Sequence, residues 1–144
     1  MVQSTVDTVT IADFDSGSGG DILTIHAVSG GVTGVAGGIV ASNTGTIVTV
    51  AGAAGNNVFI VDTVGIGYAN VAAFEAAVEA SNNTTTDFMG MYYDTTDDVV
   101  KLVADASSAI AGSSIVLATF TDVTTAAASD LMLDAFASTN LIII

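Results

Sequence analysis

Lys101 is the only lysine or arginine in a chain that carries fifteen acidic residues, thirteen of which are Asp. Asp favours turns, helix caps and the ligation of hard cations over the interiors of helices and strands. The net charge of −14 makes the folded chain repel itself unless cations screen or bridge the carboxylates. It also opposes contact with nucleic acid or an anionic membrane, so neither is an expected partner.

The core of the protein is expected to be aliphatic. Apolar residues make up 51% of the chain but aromatic residues only 6%, so Val, Ile, Leu and Ala must fill most of it. Fifteen Gly and abundant Val and Thr favour strands and tight turns. The length of 144 residues fits one domain, 1–144, with the Gly-rich stretch 30–45 as the only candidate seam.

Several common signals are missing from the sequence. There is no Cys, which excludes a disulfide framework and a thiolate metal site. The first residues lack the basic and apolar segments of a Sec signal peptide. No run of about 18 apolar residues is present, so the sequence predicts no membrane span.

The spacing of apolar residues predicts a mainly β fold, a β-sandwich or β-roll-like domain, with one mid-chain α-helix at about 70–82. The helix is indicated by Val71, Phe74 and Val78 at i, i+3 and i+7. Asn70 is a suitable N-cap. Strands are predicted at 5–11, 22–25, 46–50, 57–61, 88–93, 99–104, 114–120 and 140–144.

The strands at 88–93 and 99–104 form a predicted hairpin whose turn carries three carboxylates, those of Asp94, Asp97 and Asp98. Like charges this close together repel one another. Either solvent or a cation must accommodate them, and solvation is the interpretation we favour.

Asp13, Asp15, Gly17 and Asp21 form the strongest candidate for a metal site. Carboxylates stand at loop positions 1, 3 and 9 and a glycine carbonyl at position 5. Oxygen ligands in a flexible loop are what Ca²⁺ requires, although the glycine and glutamate of an EF-hand are missing from positions 6 and 12. Two interpretations stay open, a calcium site and a hairpin turn with solvated Asp caps.

The sequence offers no evident catalytic set. His26 is the only histidine, and no nucleophile elbow of the G-x-S-x-G type accompanies it. The lack of Arg and Trp disfavours phosphoryl transfer and sugar hydrolysis, because such sites normally supply cationic or aromatic contacts. We therefore expect that the chain is not an enzyme.

The order of elements in the second half carries a family resemblance. An Ala-rich helix at 72–80 precedes a hairpin that contains Tyr92 and Tyr93. A strand at 115–120 then runs into T-D-V, and S-D-L follows at 129–131. This order resembles the C-terminal domains of RTX-type and S-layer-type proteins, which bacterial type I secretion systems export.

Two motifs in the first half are similar to the same proteins. The sequence I-A-D-F-D at 11–15, followed by G-D-I-L at 20–23, is similar to a strand pair of that family. The segment 52–60 resembles one degenerate copy of the RTX nonapeptide, with Asn57 where the calcium-binding Asp belongs. A tight turn before a strand is the alternative for that segment.

The resemblance implies a secreted or cell-surface structural module of an S-layer, filament or adhesin. Such a module would self-associate, bind calcium and be exported by the type I secretion machinery. The alternative is a secretion-signal and capping domain attached to an RTX enzyme or toxin. The resemblance also implies an uncleaved export signal within 131–144, for which a last core strand is the alternative. The residues that fit such a signal are Asp134, Phe136, Leu141, Ile142, Ile143 and Ile144.

Overall fold

The structure, a computed structural model, describes residues 8–16, 19–25, 48–51, 57–60, 67–82, 88–105, 114–123 and 141–143. These residues form eight strands and one helix. The elements are β1 (Val9–Ile11), β2 (Leu23–Ile25), β3 (Val48–Ala51), β4 (Asn57–Ile60), α1 (Val71–Asn82), β5 (Phe88–Asp94), β6 (Val99–Asp105), β7 (Ile115–Phe120) and β8 (Leu141–Ile143). The predicted mainly β class with a mid-chain helix is confirmed.

Helix α1 begins and packs as its sequence predicts. The Oδ1 atom of Asn70 accepts a hydrogen bond from the backbone N of Ala73 at 2.9 Å, which is the N-cap interaction. Phe74 and Val78, one turn apart, are buried, and Val71 is packed against the same cluster. The apolar stripe read from the sequence is therefore the face that α1 presents to the sheet.

Six strands form one mixed sheet in the order β1-β7-β6-β5-β4-β3. The pairs β1–β7 and β4–β5 are parallel, whereas β3–β4, β5–β6 and β6–β7 are antiparallel. Parallel neighbours require a crossover connection, and α1 lies between β4 and β5 in the chain. The helix consequently covers one face of the sheet, against Tyr92 of β5 and Val103 of β6.

Three aromatic rings join the helix to the sheet. Phe74 stacks on Tyr92 with ring centroids 4.6 Å apart, and Tyr68 meets both rings edge-on at 5.5 and 6.0 Å. Aromatic pairs of this kind contribute about 0.5–1.5 kcal/mol each beyond their burial. A chain poor in rings thus concentrates three of them at the contact between its helix and its sheet.

The opposite face of the sheet is also buried over β5, β6 and β7. Strand alternation places every second residue of β5 and β6 on that face, and the register places Ala118 and Phe120 of β7 there as well. Phe14, in the segment after β1, packs edge-on against Phe120 there, with centroids 5.1 Å apart. The buried residues of this face are Met89, Met91, Tyr93, Val100, Leu102, Ala104, Ala118 and Phe120.

The remaining two strands, β2 and β8, form a separate parallel ladder. Leu23 is the register partner of Leu141, and Ile25 of Ile143. The predicted strands at both positions are confirmed, each within two residues at its ends. The candidate seam at 30–45 lies outside the described residues.

Candidate functional site

Lys101 joins two carboxylates at the end of the β5–β6 hairpin. Its Nζ donates to Asp94 Oδ2 at 2.8 Å and to Asp97 Oδ2 at 2.6 Å. Asp94 Oδ2 also accepts from Tyr92 Oη at 3.2 Å, and Asp94 Oδ1 accepts from the backbone N of Thr96 at 3.0 Å and of Asp97 at 3.2 Å. Only 1% of the Asp94 side chain is exposed, so these donors replace the water that it lacks.

The hairpin turn itself is closed by a second tyrosine–aspartate contact. Tyr93 Oη donates to Asp98 Oδ1 at 2.8 Å. Asp98 has a φ of 55°, in the left-handed region that Asp tolerates better than most residues do. Asp98 therefore adopts the left-handed backbone conformation of the turn, and Asp94 binds the lysine of the charge network.

The segment before α1 lies along this hairpin. The backbone N of Tyr68 donates to Tyr93 O at 2.9 Å, and the backbone N of Thr95 donates to Tyr68 O at 3.0 Å. Thr96 Oγ1 donates to Ala69 O at 2.7 Å. These bonds fix the start of α1 beside the charged turn.

The environment holds the charges of this network in place. Burial would raise the pKa of Asp94, but the hydrogen bonds from Lys101 and from two backbone N–H groups outweigh burial and lower it. Burial would lower the pKa of Lys101, but its bonds to both carboxylates raise it. Burial, together with the adjacent Asp94 charge, raises the pKa of Tyr92. None of the three groups is therefore prepared to exchange a proton near neutral pH.

The expectation of a solvated turn is wrong for one of its three carboxylates. Asp97 and Asp98 are exposed, whereas Asp94 is buried and paired with the one lysine of the chain. The signal was present in the sequence. Residues 92 and 94 share a face of β5, and Lys101 is the register partner of Tyr92.

A cleft of about 500 Å³ opens beside this network. One wall is the beginning of α1 and the segment before it, and the other is the charged turn. The cleft is lined by Ala69, Asn70, Val71, Ala72, Asp94, Thr96, Asp97 and Lys101. Its polar groups mostly bond one another, so the wall presents few open donors to a ligand.

The predicted calcium loop is closed by two of its aspartates. The backbone N of Asp15 donates to Asp21 Oδ2 at 2.9 Å, and the backbone N of Asp21 donates to Asp15 O at 2.7 Å. Asp13, Asp15 and Asp21 are exposed, and Gly17 lies outside the described residues. Within the described ranges, no group of three or more His, Cys, Asp or Glu side chains is arranged to hold a metal ion. The calcium site stays a prediction.

The outer strands of the six-stranded sheet, as far as it is described, are β1 and β3. Neither contains a charged residue or a proline: β1 reads V-T-I and β3 reads V-T-V-A. Val9 of β1 is 54% exposed. Natural edge strands are often protected by short length, Lys, Pro or a covering segment, because an open edge can pair with another chain. Of these features β1 and β3 have short length, at three and four residues.

The residues proposed for the export signal are only partly described. Leu141, Ile142 and Ile143 form β8 and pair with β2. Asp134, Phe136 and Ile144 lie outside the described residues, as does His26. The structure gives a strand at 141–143, and both the export signal and the core strand stay predictions.

Comparison with known proteins gives no assignment. No protein-family model, no curated protein and no solved structure matches the chain. No helix in the described part of the chain is long and apolar enough to cross a membrane. Function is therefore inferred from the residues themselves.

Proposed function

We propose that the chain is a non-catalytic structural module of a secreted surface protein, such as an S-layer, a filament or an adhesin, and that its copies polymerise. The observation that carries this proposal is that β1 and β3, the outer strands of the sheet among the described residues, contain none of the charges and prolines that often prevent strand addition. Edge strands of this composition favour growth of one sheet across several molecules.

The charge network at the hairpin supports a structural role rather than a catalytic one. Lys101 is held as an ammonium group between Asp94 and Asp97, and Asp94 is held as a carboxylate. A lysine that acts as nucleophile or base requires a lowered pKa instead. The chain's single Lys thus stabilises a turn.

The net charge supplies a means of control over assembly. Two copies that each carry −14 repel one another, and the repulsion extends over a Debye length of about 10 Å at about 0.1 M salt. Strand addition therefore needs counterions. Calcium, with the loop at Asp13, Asp15, Gly17 and Asp21 as its proposed site, is the divalent cation that such exported proteins would meet outside the cell.

The test is the mass of the full chain in solution as salt and calcium are varied. Light scattering after size exclusion should give monomer at about 0.01 M NaCl and larger species at about 0.5 M NaCl, since screening shortens the repulsion. Calcium at millimolar concentration should have the same effect at much lower ionic strength. A strict monomer under every condition contradicts the assembly role and favours the capping-domain alternative.

Export by a type I system is a separate part of the proposal and has its own test. It is supported by the acidic, Cys-free composition and by the resemblance in the second half of the chain. A passenger fused to residues 70–144 should leave the cell only when the transporter is present. Export that survives removal of residues 131–144 contradicts the proposed signal.

A further inference from the structure

We infer that the copies join head to tail, with β1 of one molecule beside β3 of the next, so that the six-stranded sheet continues from copy to copy. This inference rests on the proposed assembly function and specifies its contact. It follows from three observations: the relative direction of the two edge strands, their sequences, and the orientation of the backbone groups of β1.

The two edge strands run in opposite directions. Strand β1 is parallel to β7. Strand β6 runs opposite to β7, and β5 runs opposite to β6, so β5 has the same direction as β1. Strand β4 is parallel to β5, and β3 is antiparallel to β4. A second copy placed beside the first in the same orientation therefore sets its β3 antiparallel to β1. Antiparallel pairing is the slightly more stable arrangement.

The two edges also match in sequence. Strand β1 reads Val9-Thr10-Ile11 and strand β3 begins Val48-Thr49-Val50. When the central threonines are aligned in an antiparallel pair, Thr faces Thr and each aliphatic residue faces another. Thr–Thr and β-branched pairs are favourable across antiparallel strands.

Among the described residues, Thr10 of β1 has no strand beside it on the side away from β7. Ile11 O accepts from the backbone N of Thr121, so the backbone groups of Ile11, and of Val9 two residues earlier, point towards β7. Successive residues in a strand direct their N–H and C=O groups to opposite sides. The N–H and C=O of Thr10 therefore point away from β7, to the side on which a new strand would add.

This orientation provides a selective block. Thr10→Pro removes the outward N–H but leaves the β1–β7 hydrogen bonds intact, since proline is accepted in edge strands where its N faces outward. Thr10→Val is the matched control, because it keeps the N–H and changes only the side chain. For β3, Thr49→Pro and Val50→Pro are both made, because one of two adjacent positions faces outward. The variant whose monomer melts at the same temperature as the unmodified chain is then used as the β3-blocked variant.

A head-to-tail contact predicts a result that other contacts do not. Under conditions in which the unmodified chain polymerises, Thr10→Pro alone and the β3-blocked variant alone should each lose all species above monomer. An equimolar mixture of the two should form a 1:1 dimer, because each variant retains the edge that the other lacks. Thr10→Val should polymerise like the unmodified chain.

The outcomes separate this contact from the assembly function. If the β3-blocked variant forms a dimer by itself, two β1 edges pair with each other and the head-to-tail contact is wrong. If Thr10→Pro polymerises as fully as the unmodified chain, the contact lies elsewhere on the molecule. The proposed assembly function is then not contradicted. If the unmodified chain never exceeds a monomer, the assembly function itself fails.

Discussion

Replacing Lys101 by Met tests how the one lysine of the chain stabilises the fold. Met keeps most of the aliphatic stem but removes the Nζ that lies 2.8 Å from the buried Asp94 carboxylate. Removing one partner of a buried ion pair costs about 3–5 kcal/mol. Three donors to Asp94 are left, so we expect about 3 kcal/mol, the lower end of that range. Loss of the contact to Asp97 adds less than about 1 kcal/mol, because that side chain is 58% exposed.

The pH dependence of this loss gives a sharper signature. In the unmodified chain the pKa of Asp94 is lowered, so its contribution to stability is present above the unfolded value of about 3.9 and is lost as the pH falls below it. In Lys101→Met, the hydrogen bond and the charge of Lys101 no longer lower that pKa, so Asp94 takes up its proton at a higher pH than in the unmodified chain. The variant therefore loses less stability than the unmodified chain as the pH falls, and the difference between the two proteins shrinks.

Urea unfolding followed by circular dichroism measures both effects, and taking the difference between the two proteins cancels most of the shared effect of net charge. Asp97→Asn is the control and should cost less than about 1 kcal/mol. Asp94→Asn combined with Lys101→Met should be less destabilised than Lys101→Met alone, because no uncompensated charge is left in the buried site. A loss below about 1 kcal/mol for Lys101→Met, or a loss that does not change with pH, refutes the reasoning.

Three further predictions concern the same part of the fold. A Cβ on Gly67 would lie 2.6 Å from Tyr93 O, so Gly67→Ala should destabilise by about 1–3 kcal/mol; an unchanged melting temperature would contradict this close approach. Asn70→Ala removes the cap bond to Ala73 and should cost about 1 kcal/mol in urea unfolding, whereas Asn70→Asp should keep most of that stability. Because the pKa values of Lys101 and Tyr93 are both raised, stability should hold up to pH of about 10 and then decline. Urea titrations at intervals between pH 8 and pH 11 check this, and a constant free energy of unfolding throughout would exclude it.

The elements that the sequence predicts well are those with a local signal. The helix at 70–82 has a cap, an apolar stripe and Ala-rich neighbours, and all three agree with α1. The hairpin of β5 and β6 has two long apolar strands around a polar turn, and its register runs from Phe88 to Asp94 without interruption. In both cases, residues close in the chain determine the structure.

The parts that escape prediction depend on residues far apart in the chain. Strands of three or four residues, such as β1 and β3, carry too short a pattern to specify which neighbour they pair with. Periodicity alone reveals neither the parallel pairing of β4 with β5 nor the packing of Phe74 of α1 on Tyr92. The burial of Asp94 is different, because its partner Lys101 lies only seven positions away and the hairpin register places both side chains on one face.

The pairing of β1 with β7 has a consequence for the rate and order of folding. Contacts at this joint connect positions 108 and 110 residues apart, whereas β5, β6 and β7 are neighbours in the chain. High contact order slows folding, because a long loop must close before its contacts are made. The unit from β4 to β7 should therefore form early and β1 should dock late. Until it docks, β7 is itself an open edge, and the interval between these two steps is when the chain is most prone to misassociation.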